Sequence, residues 1–126
     1  MSTVTIHTTP SAALVGNSNA NPAGFRDLPP EGVIRHRSEL RVIDVRQPEE
    51  FNAELGHIAG AELVPLATVA QAAAGWDRQQ VILTVCRSGG RSGNAAATLA
   101  RMGFTHVYNL IGGMLVWNAN QLPVER

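Results

Sequence analysis

Short apolar runs alternate with helix-like segments along most of this chain. The two clearest runs, residues 41–45 and 81–85, are rich in β-branched side chains, and the second is almost uninterruptedly apolar. A nearly continuous apolar run such as residues 81–85 is typical of a strand that is buried on both faces of a parallel sheet. Strands of this kind alternating with helices predict an α/β fold.

The same pattern locates the remaining elements. The predicted strands are residues 4–6, 41–45, 61–64, 81–85 and 107–110, and the predicted helices are 12–15, 48–51, 66–74, 92–102 and 114–120. A weaker signal allows a turn or two of helix within 31–39, and residues 16–30, rich in Gly, Asn and Pro, are predicted to be a surface loop. The sequence therefore predicts an open five-stranded parallel sheet with helices on both faces, forming a single domain over residues 1–126.

Composition narrows the classes of function. The 126 residues carry ten basic and ten acidic side chains, so net charge provides no general attraction to nucleic acid or to an anionic membrane. All ten basic residues are arginine, which excludes a lysine Schiff base and a phosphate loop that ends in Gly-Lys. The first residues do not resemble a secretory signal, and no run approaches the roughly 20 apolar residues that span a bilayer. We therefore expect a soluble cytoplasmic protein.

The sequence has one cysteine, Cys86. A single thiol excludes an internal disulfide and a zinc site built from several cysteines. The four histidines are scattered without the spacing of metal ligands, so we expect no metal and no cofactor. What remains is one thiol that is either an inert core residue or a reactive nucleophile.

The residues after Cys86 favour the reactive alternative. The segment Cys86-Arg-Ser-Gly-Gly-Arg91 joins the central strand to a helix, at the position where open α/β sheets bind ligands. Two adjacent glycines allow the backbone amides to turn toward one point, and the helix start and two arginines add positive charge. These influences lower the pKa of a thiol. The candidate site is Cys86 as nucleophile, with Arg87, Ser88, Gly89, Gly90, Arg91 and Ser92 as binding residues.

Several segments together resemble the single-domain rhodaneses, a family of sulfurtransferases. The resemblance runs from about Arg41 to Val124, and it rests on motifs that occur in the family's order. They are Val42-Ile-Asp-Val-Arg46, Pro48-Glu-Glu-Phe51, Gly56-His57-Ile58, the Cys86 loop, Gly103-Phe104, and Gly112-Gly113 with Trp117. The resemblance implies a five-stranded parallel sheet with helices on both faces, and it implies that Cys86 is the residue that carries sulfur.

The implied reaction is sulfur transfer from thiosulfate. The Cys86 thiolate attacks the outer sulfur, sulfite departs, and a persulfide remains among the loop amides. Arg91 and Arg87 are expected to neutralise the dianionic donor. The expected partners are a small-molecule sulfur donor and a thiophilic acceptor: cyanide in an assay, and a cellular thiol or small dithiol protein in vivo.

Three alternatives stay open at this point. One is a persulfide-relay module that is loaded by a protein donor, and another is a regulatory domain with an unreactive loop. The third, a cysteine phosphatase of related fold, is disfavoured because those enzymes have five residues between Cys and Arg, whereas four separate Cys86 from Arg91 here.

Charged residues also gather at the end of the strand at 41–45. They are Asp44, Arg46, Glu49 and Glu50. An ion pair between Arg46 and Glu50, fixing the strand to its helix, is favoured over a role in the active site. His57 is expected to support a loop, and Phe104 and Trp117 to pack near the base of the Cys86 loop.

Overall fold

The computed structural model describes residues 9–126, so the strand predicted at 4–6 lies outside the described residues. Within this part of the chain, six strands form one sheet in the order β1-β2-β6-β5-β3-β4. They are β1 (Asn19–Ala20), β2 (Arg26–Leu28), β3 (Arg41–Asp44), β4 (Glu62–Leu63), β5 (Val81–Val85) and β6 (His106–Leu110). Only β1 runs antiparallel to its neighbour, so the α/β fold with a mostly parallel sheet is confirmed.

Short helices connect the strands. They are α1 (Ala12–Gly16), α2 (Pro30–Arg35), α3 (Pro48–Phe51), α4 (Val69–Ala73), α5 (Gly90–Arg101) and α6 (Gly113–Ala119). A Pro at the first position starts both α2 and α3, where its missing N–H costs no hydrogen bond. Helix α5 ends before Gly103, whose φ of +100° is the left-handed conformation predicted for a helix stop. Across residues 9–126, every helix is too short or too polar to cross a membrane.

The predicted surface loop at 16–30 is wrong. The segment contains β1 and β2, which form a short antiparallel pair, and β2 then lies parallel to β6. Pattern analysis missed β2 because only Leu28 of its three residues is buried, which leaves no apolar alternation to detect. The strand exists because its backbone pairs with β6, a partner about 80 residues away in sequence. Within residues 9–126 the sheet therefore has six strands, and only four of them belong to the predicted five-stranded sheet.

Side chains of the sheet alternate between two cores. Val81, Leu83 and Val85 of β5 pack with α1, α2 and α6 on one face, whereas Ile82 and Cys86 belong to the cluster that includes α4 and α5. This period of two is the ordinary geometry of a strand. Helices thus cover both faces, as predicted, and the Cys86 side chain lies on the face covered by α5.

The same alternation creates a polar row on the α5 face. Asp27 of β2 is aligned with Asn109 of β6, and Asn109 is aligned with Thr84 of β5. All three residues lie close to the carboxyl ends of their strands, beside the start of α5. The Thr84 hydroxyl donates a hydrogen bond of 2.9 Å to the Ser92 carbonyl oxygen, which fixes the first turn of α5 to the sheet.

Candidate active site

Cys86 is the first residue after β5, and α5 begins four residues later. Its side chain is almost fully buried, with 1% of its surface exposed. The loop turns sharply at Gly89, whose φ of +102° places it in the left-handed region that favours glycine. Gly90 needs no such freedom, because it is already the first residue of the helix. One of the two glycines therefore makes the turn.

Hydrogen-bond donors converge on the Cys86 sulfur. The Gly89 N–H donates to Sγ at 3.0 Å, and the Ser92 Oγ lies 3.3 Å from Sγ. Burial acts to raise the pKa of the Cys86 thiol, but the Ser92 hydroxyl and the backbone N–H groups of Ser92, Gly89 and Ser88 outweigh it. The pKa of Cys86 is therefore below its ordinary value, as a nucleophilic thiol requires.

The start of α6 supports the loop from the other side. The Met114 N–H donates to the Cys86 carbonyl oxygen at 2.9 Å, and the Leu115 N–H donates to the Arg87 carbonyl oxygen at 3.0 Å. Gly113 permits this approach, because a Cβ there would lie 2.5 Å from both carbonyl oxygens. In the sequence, Gly112-Gly113 stood out only as one of the motifs of the family resemblance. Two glycines between a strand and a helix were the signal that a close backbone contact was present.

Arg91 makes a bidentate ion pair with Glu50. Its two terminal nitrogens lie 2.7 and 2.9 Å from the Glu50 carboxylate oxygens. The Arg91 hydrogen bonds lower the pKa of Glu50 to about 2. Glu50 in turn raises the pKa of Arg91, with a smaller contribution from Cys86. Arg91 therefore links α5 to α3 and keeps its positive charge beside the thiol loop.

The prediction that Arg46 forms an ion pair with Glu50 is wrong, because each of the two side chains pairs with a different residue. The Arg46 guanidinium pairs with the Asp44 carboxylate at 2.8 Å, and both side chains are buried. The carboxylate of Glu50 is bound by Arg91 instead. The correct pairing could not be read from local spacing, because Glu50 and Arg91 are 41 residues apart.

The other loop residues face outward. Arg87, Ser88 and Gly90 are exposed. Within residues 9–126 the Arg87 guanidinium has no hydrogen-bond or ion-pair partner. It is therefore available to an anion that approaches the loop from solvent.

The structure adds two residues that sequence analysis did not assign to the site. Ser92 Oγ lies 2.5 Å from Asn109 Oδ1, and Asn109 Nδ2 lies 3.3 Å from Asp27 Oδ1. A chain of polar side chains thus leads from Cys86 through Ser92 and Asn109 to Asp27. Its signal in the sequence was Asn109, a polar residue that stands between Tyr108 and Leu110 in the strand β6.

The remaining candidates lie in other surroundings. The His57 ring stacks on Phe51 with centroids 3.7 Å apart, and its Nδ1 lies 2.9 Å from the Phe51 carbonyl oxygen. Phe104 belongs to the same buried cluster as Cys86, whereas Trp117 packs on the opposite face of the sheet. Among residues 9–126, no three His, Cys, Asp or Glu side chains are grouped to hold a metal ion.

The family model of the Rhodanese-like domain matches residues 30–120 of this chain. The chain belongs to the rhodanese family. It is 37% identical over 103 residues to thiosulfate sulfurtransferase GlpE of Pseudomonas putida, covering 80% of this rhodanese and 91% of that enzyme. The resemblance stated from the motifs is thus confirmed.

Solved structures place this rhodanese in the same fold. A rhodanese-related protein from Thermoplasma volcanium superposes with a TM-score of 0.72 and 23% identity, over 79% of this chain and 96% of that one. A Rhodopseudomonas palustris protein of unknown function, described as a possible tyrosine phosphatase, gives a TM-score of 0.75. It is 21% identical, over 99% of this chain and 98% of its own. At these identities the likeness concerns the fold alone.

Proposed function

We propose that this rhodanese is a thiosulfate sulfurtransferase that works through a persulfide on Cys86. The observation that carries the proposal is the geometry of the loop. A buried thiol receives a backbone N–H bond of 3.0 Å and lies 3.3 Å from a hydroxyl, which suits a stabilised thiolate. The relatives named thiosulfate sulfurtransferase GlpE supply the donor class.

The first half-reaction loads the thiol. The Cys86 thiolate attacks the outer sulfur of thiosulfate, a sulfur–sulfur bond forms at Cys86, and the bond to the inner sulfur breaks. Sulfite leaves with the electron pair of that bond, and the sulfane sulfur stays on Cys86 as a persulfide. The exposed Arg87 and the charge of Arg91 favour approach of the dianionic donor.

The second half-reaction removes the sulfane sulfur from Cys86. A thiolate or cyanide attacks the sulfane sulfur, and its bond to Cys86 breaks, which regenerates the Cys86 thiolate. The same donors that stabilise the resting thiolate stabilise it as a leaving group. We propose a cellular thiol or a small dithiol protein as the acceptor in vivo. Exposed Leu115, whose N–H is bonded to Arg87, offers apolar surface beside the loop for a protein acceptor.

The size of the loop distinguishes this proposal from dephosphorylation. Four residues lie between Cys86 and Arg91, and a phosphate needs a wider ring of donors for its three equatorial oxygens. The Arg91 guanidinium is also occupied by Glu50 instead of facing the centre of the loop. Both observations favour a single sulfur atom as the group that is held on the thiol.

Intact mass spectrometry after incubation with thiosulfate tests the central step. We expect the protein to gain one sulfur atom and Cys86→Ser to gain none, while both remain folded. Thr105→Ala, an exposed substitution between α5 and β6, is the matched control and should load normally. Loading of Cys86→Ser, or no loading of the parent protein, would contradict the assignment.

Steady-state turnover with thiosulfate distinguishes the proposed thiosulfate sulfurtransferase from a persulfide-relay module. A thiosulfate sulfurtransferase should form thiocyanate from thiosulfate and cyanide through many cycles. A relay module should turn over slowly with thiosulfate but accept sulfur efficiently from a cysteine desulfurase. Efficient loading from the desulfurase together with negligible thiosulfate turnover would favour the relay.

A further inference from the structure

The Ser92 hydroxyl has two neighbours that compete for one proton. Its Oγ lies 3.3 Å from Cys86 Sγ and 2.5 Å from Asn109 Oδ1. A serine hydroxyl carries a single proton and therefore donates to one of these atoms at a time. The direction of the Ser92 hydroxyl therefore depends on which amide atom of Asn109 faces it and on whether Cys86 is a thiol or a thiolate.

The surroundings of Asn109 decide which of its amide atoms faces Ser92. Its Nδ2 lies 3.3 Å from a carboxylate oxygen of Asp27 and 3.5 Å from the Gly89 carbonyl oxygen. Both are acceptors, so the NH₂ group must face them, and Oδ1 must face Ser92. Asp27 is held in place in turn by Asn21, whose Nδ2 donates to its other oxygen at 3.1 Å. The amide therefore presents an acceptor to Ser92.

Two proton arrangements follow. In the first, Ser92 donates to Asn109, and the neutral Cys86 thiol can donate its own proton to Ser92 Oγ. In the second, Cys86 has lost its proton to solvent, and Ser92 turns its hydroxyl to the thiolate. Asn109 Oδ1 then loses its donor in a buried position, which carries a free-energy cost. The Gly89 N–H donates to sulfur in both arrangements.

We propose that Asn109, oriented by Asp27, is a positioning residue that determines whether Ser92 donates to Asn109 or to Cys86, and so controls the balance between thiol and thiolate. In this role Asn109 opposes ionisation of Cys86. The effect is useful for transfer chemistry, because the nucleophilicity of a thiolate falls as its pKa falls. Once Cys86 carries a persulfide its Sγ is uncharged, and the Ser92 proton returns to Asn109.

Other charges near the thiol act independently of this proton. Arg91 is paired with Glu50, and the Asp44–Arg46 pair lies at the end of the neighbouring strand β3. Arg87 is exposed in the loop, and helix α6 contributes no charged side chain. The carboxylate of Asp27 also acts through its charge. An experiment must therefore separate its charge from its effect on Asn109.

The pH dependence of Cys86 alkylation by iodoacetamide tests the proposal. Asn109→Leu removes the competing acceptor and frees the Ser92 hydroxyl for the thiolate. We expect the apparent pKa of Cys86 to fall by about 0.5 to 1, the effect of one hydrogen bond. Asn94→Leu, an exposed substitution on α5, is the matched control and should leave the apparent pKa unchanged.

A double-mutant cycle with Ser92→Ala gives the decisive comparison. The fall caused by Asn109→Leu should vanish in the Ser92→Ala background, because no hydroxyl remains to redirect. An unchanged or higher apparent pKa in Asn109→Leu would overturn the proposal. An equal fall with and without Ser92 would also overturn it, since the effect would then not pass through the hydroxyl.

Asp27→Ala keeps the proposal testable if Asn109→Leu does not fold. This variant removes the carboxylate that orients the amide, and it should lower the apparent pKa more with Ser92 present than with Ser92→Ala. Equal shifts would mean that only the charge of Asp27 matters, which would refute the role of Asn109.

The inference rests on Cys86 as the nucleophile of the proposed function. Alkylation needs no sulfur donor, so failed sulfur loading with the expected pKa shifts would refute the function alone.

Discussion

At the scale of single residues, Arg46 makes several buried polar contacts near the site. Its guanidinium pairs with buried Asp44 and donates to the carbonyl oxygens of Gly56 at 2.7 Å and Glu50 at 3.4 Å. These bonds join the end of β3 to α3 and to the loop before β4. Because α3 carries Glu50, Arg46 indirectly positions the partner of Arg91.

Arg46→Met should destabilise the protein by about 3 to 5 kcal/mol, because it leaves the Asp44 carboxylate buried without its partner. The free energy of unfolding in urea measures this loss. Glu62→Gln is the control, since it breaks the exposed pair with Arg41 and should cost less than about 1 kcal/mol. A similar loss of unfolding free energy in the two variants would show that the buried Asp44–Arg46 pair matters no more to stability than the exposed Arg41–Glu62 pair.

A comparison of Arg91→Ala with Glu50→Gln should separate the effect of the Arg91 charge from the effect of its link between α5 and α3. Arg91→Ala removes a positive charge beside the thiol, and we expect the KM for thiosulfate to rise about tenfold, because the dianionic donor is attracted less strongly to the loop. Glu50→Gln weakens the same link between α3 and α5 but leaves the arginine charge, so its KM should stay the same or fall. Steady-state kinetics with thiosulfate and cyanide measures both. An equal rise in KM for the two variants would indicate that Arg91 acts only as an anchor.

At the scale of elements, the loop is held between two helices. The first turn of α5 provides Ser92 and the ion pair of Arg91, and the first turn of α6 donates two N–H groups to the loop carbonyl oxygens. The close approach of α6 depends on Gly113, whose φ is +59°. A side chain at this position is therefore opposed by backbone strain and by a steric clash.

Gly113→Ala should destabilise the protein by about 2 to 5 kcal/mol, combining strain at positive φ with overpacking. It should also slow sulfur transfer, because the displaced α6 no longer holds the Cys86 and Arg87 carbonyl oxygens. Gly103→Ala has positive φ without a clash and should cost about 1 to 3 kcal/mol with normal activity. Thermal unfolding and turnover measure the two effects. Equal activity in both variants would mean that α6 does not position the loop.

At the scale of the whole molecule, the link between Glu50 and Arg91 couples stability to pH. Arg91 holds the pKa of Glu50 at about 2 in the folded protein, below its ordinary value of 4.5. A carboxyl with a lowered folded-state pKa binds protons more readily in the unfolded chain. Its stabilising contribution is therefore complete above about pH 4.5 and is lost as the pH falls toward 2.

Glu50→Gln should reduce the acid sensitivity of folding. The variant should be less stable than the parent protein at pH 6, and the difference should shrink as the pH falls from 4.5 toward 2. Urea unfolding at pH 6 and pH 3 measures this convergence. A difference that stays constant over this range would show that the Glu50 charge does not contribute to it.

The sequence by itself determined the elements that position the thiol. A buried β-branched strand, a turn with glycine and an alanine-rich helix are local features, and the predicted strands at 41–45 and 81–85 match β3 and β5 closely. These features placed Cys86 at the end of the central strand. The family motifs added the class of protein, which the comparison with known proteins confirmed.

Tertiary structure decided which polar groups meet at the site. Asp27 and Asn109 are 82 residues apart, and Glu50 and Arg91 are 41 residues apart, so no local pattern could pair them. Strand β2 likewise has too few buried residues to be recognised without its partner β6. Local propensity and periodicity specify elements, whereas strand order and register determine which side chains become neighbours across them.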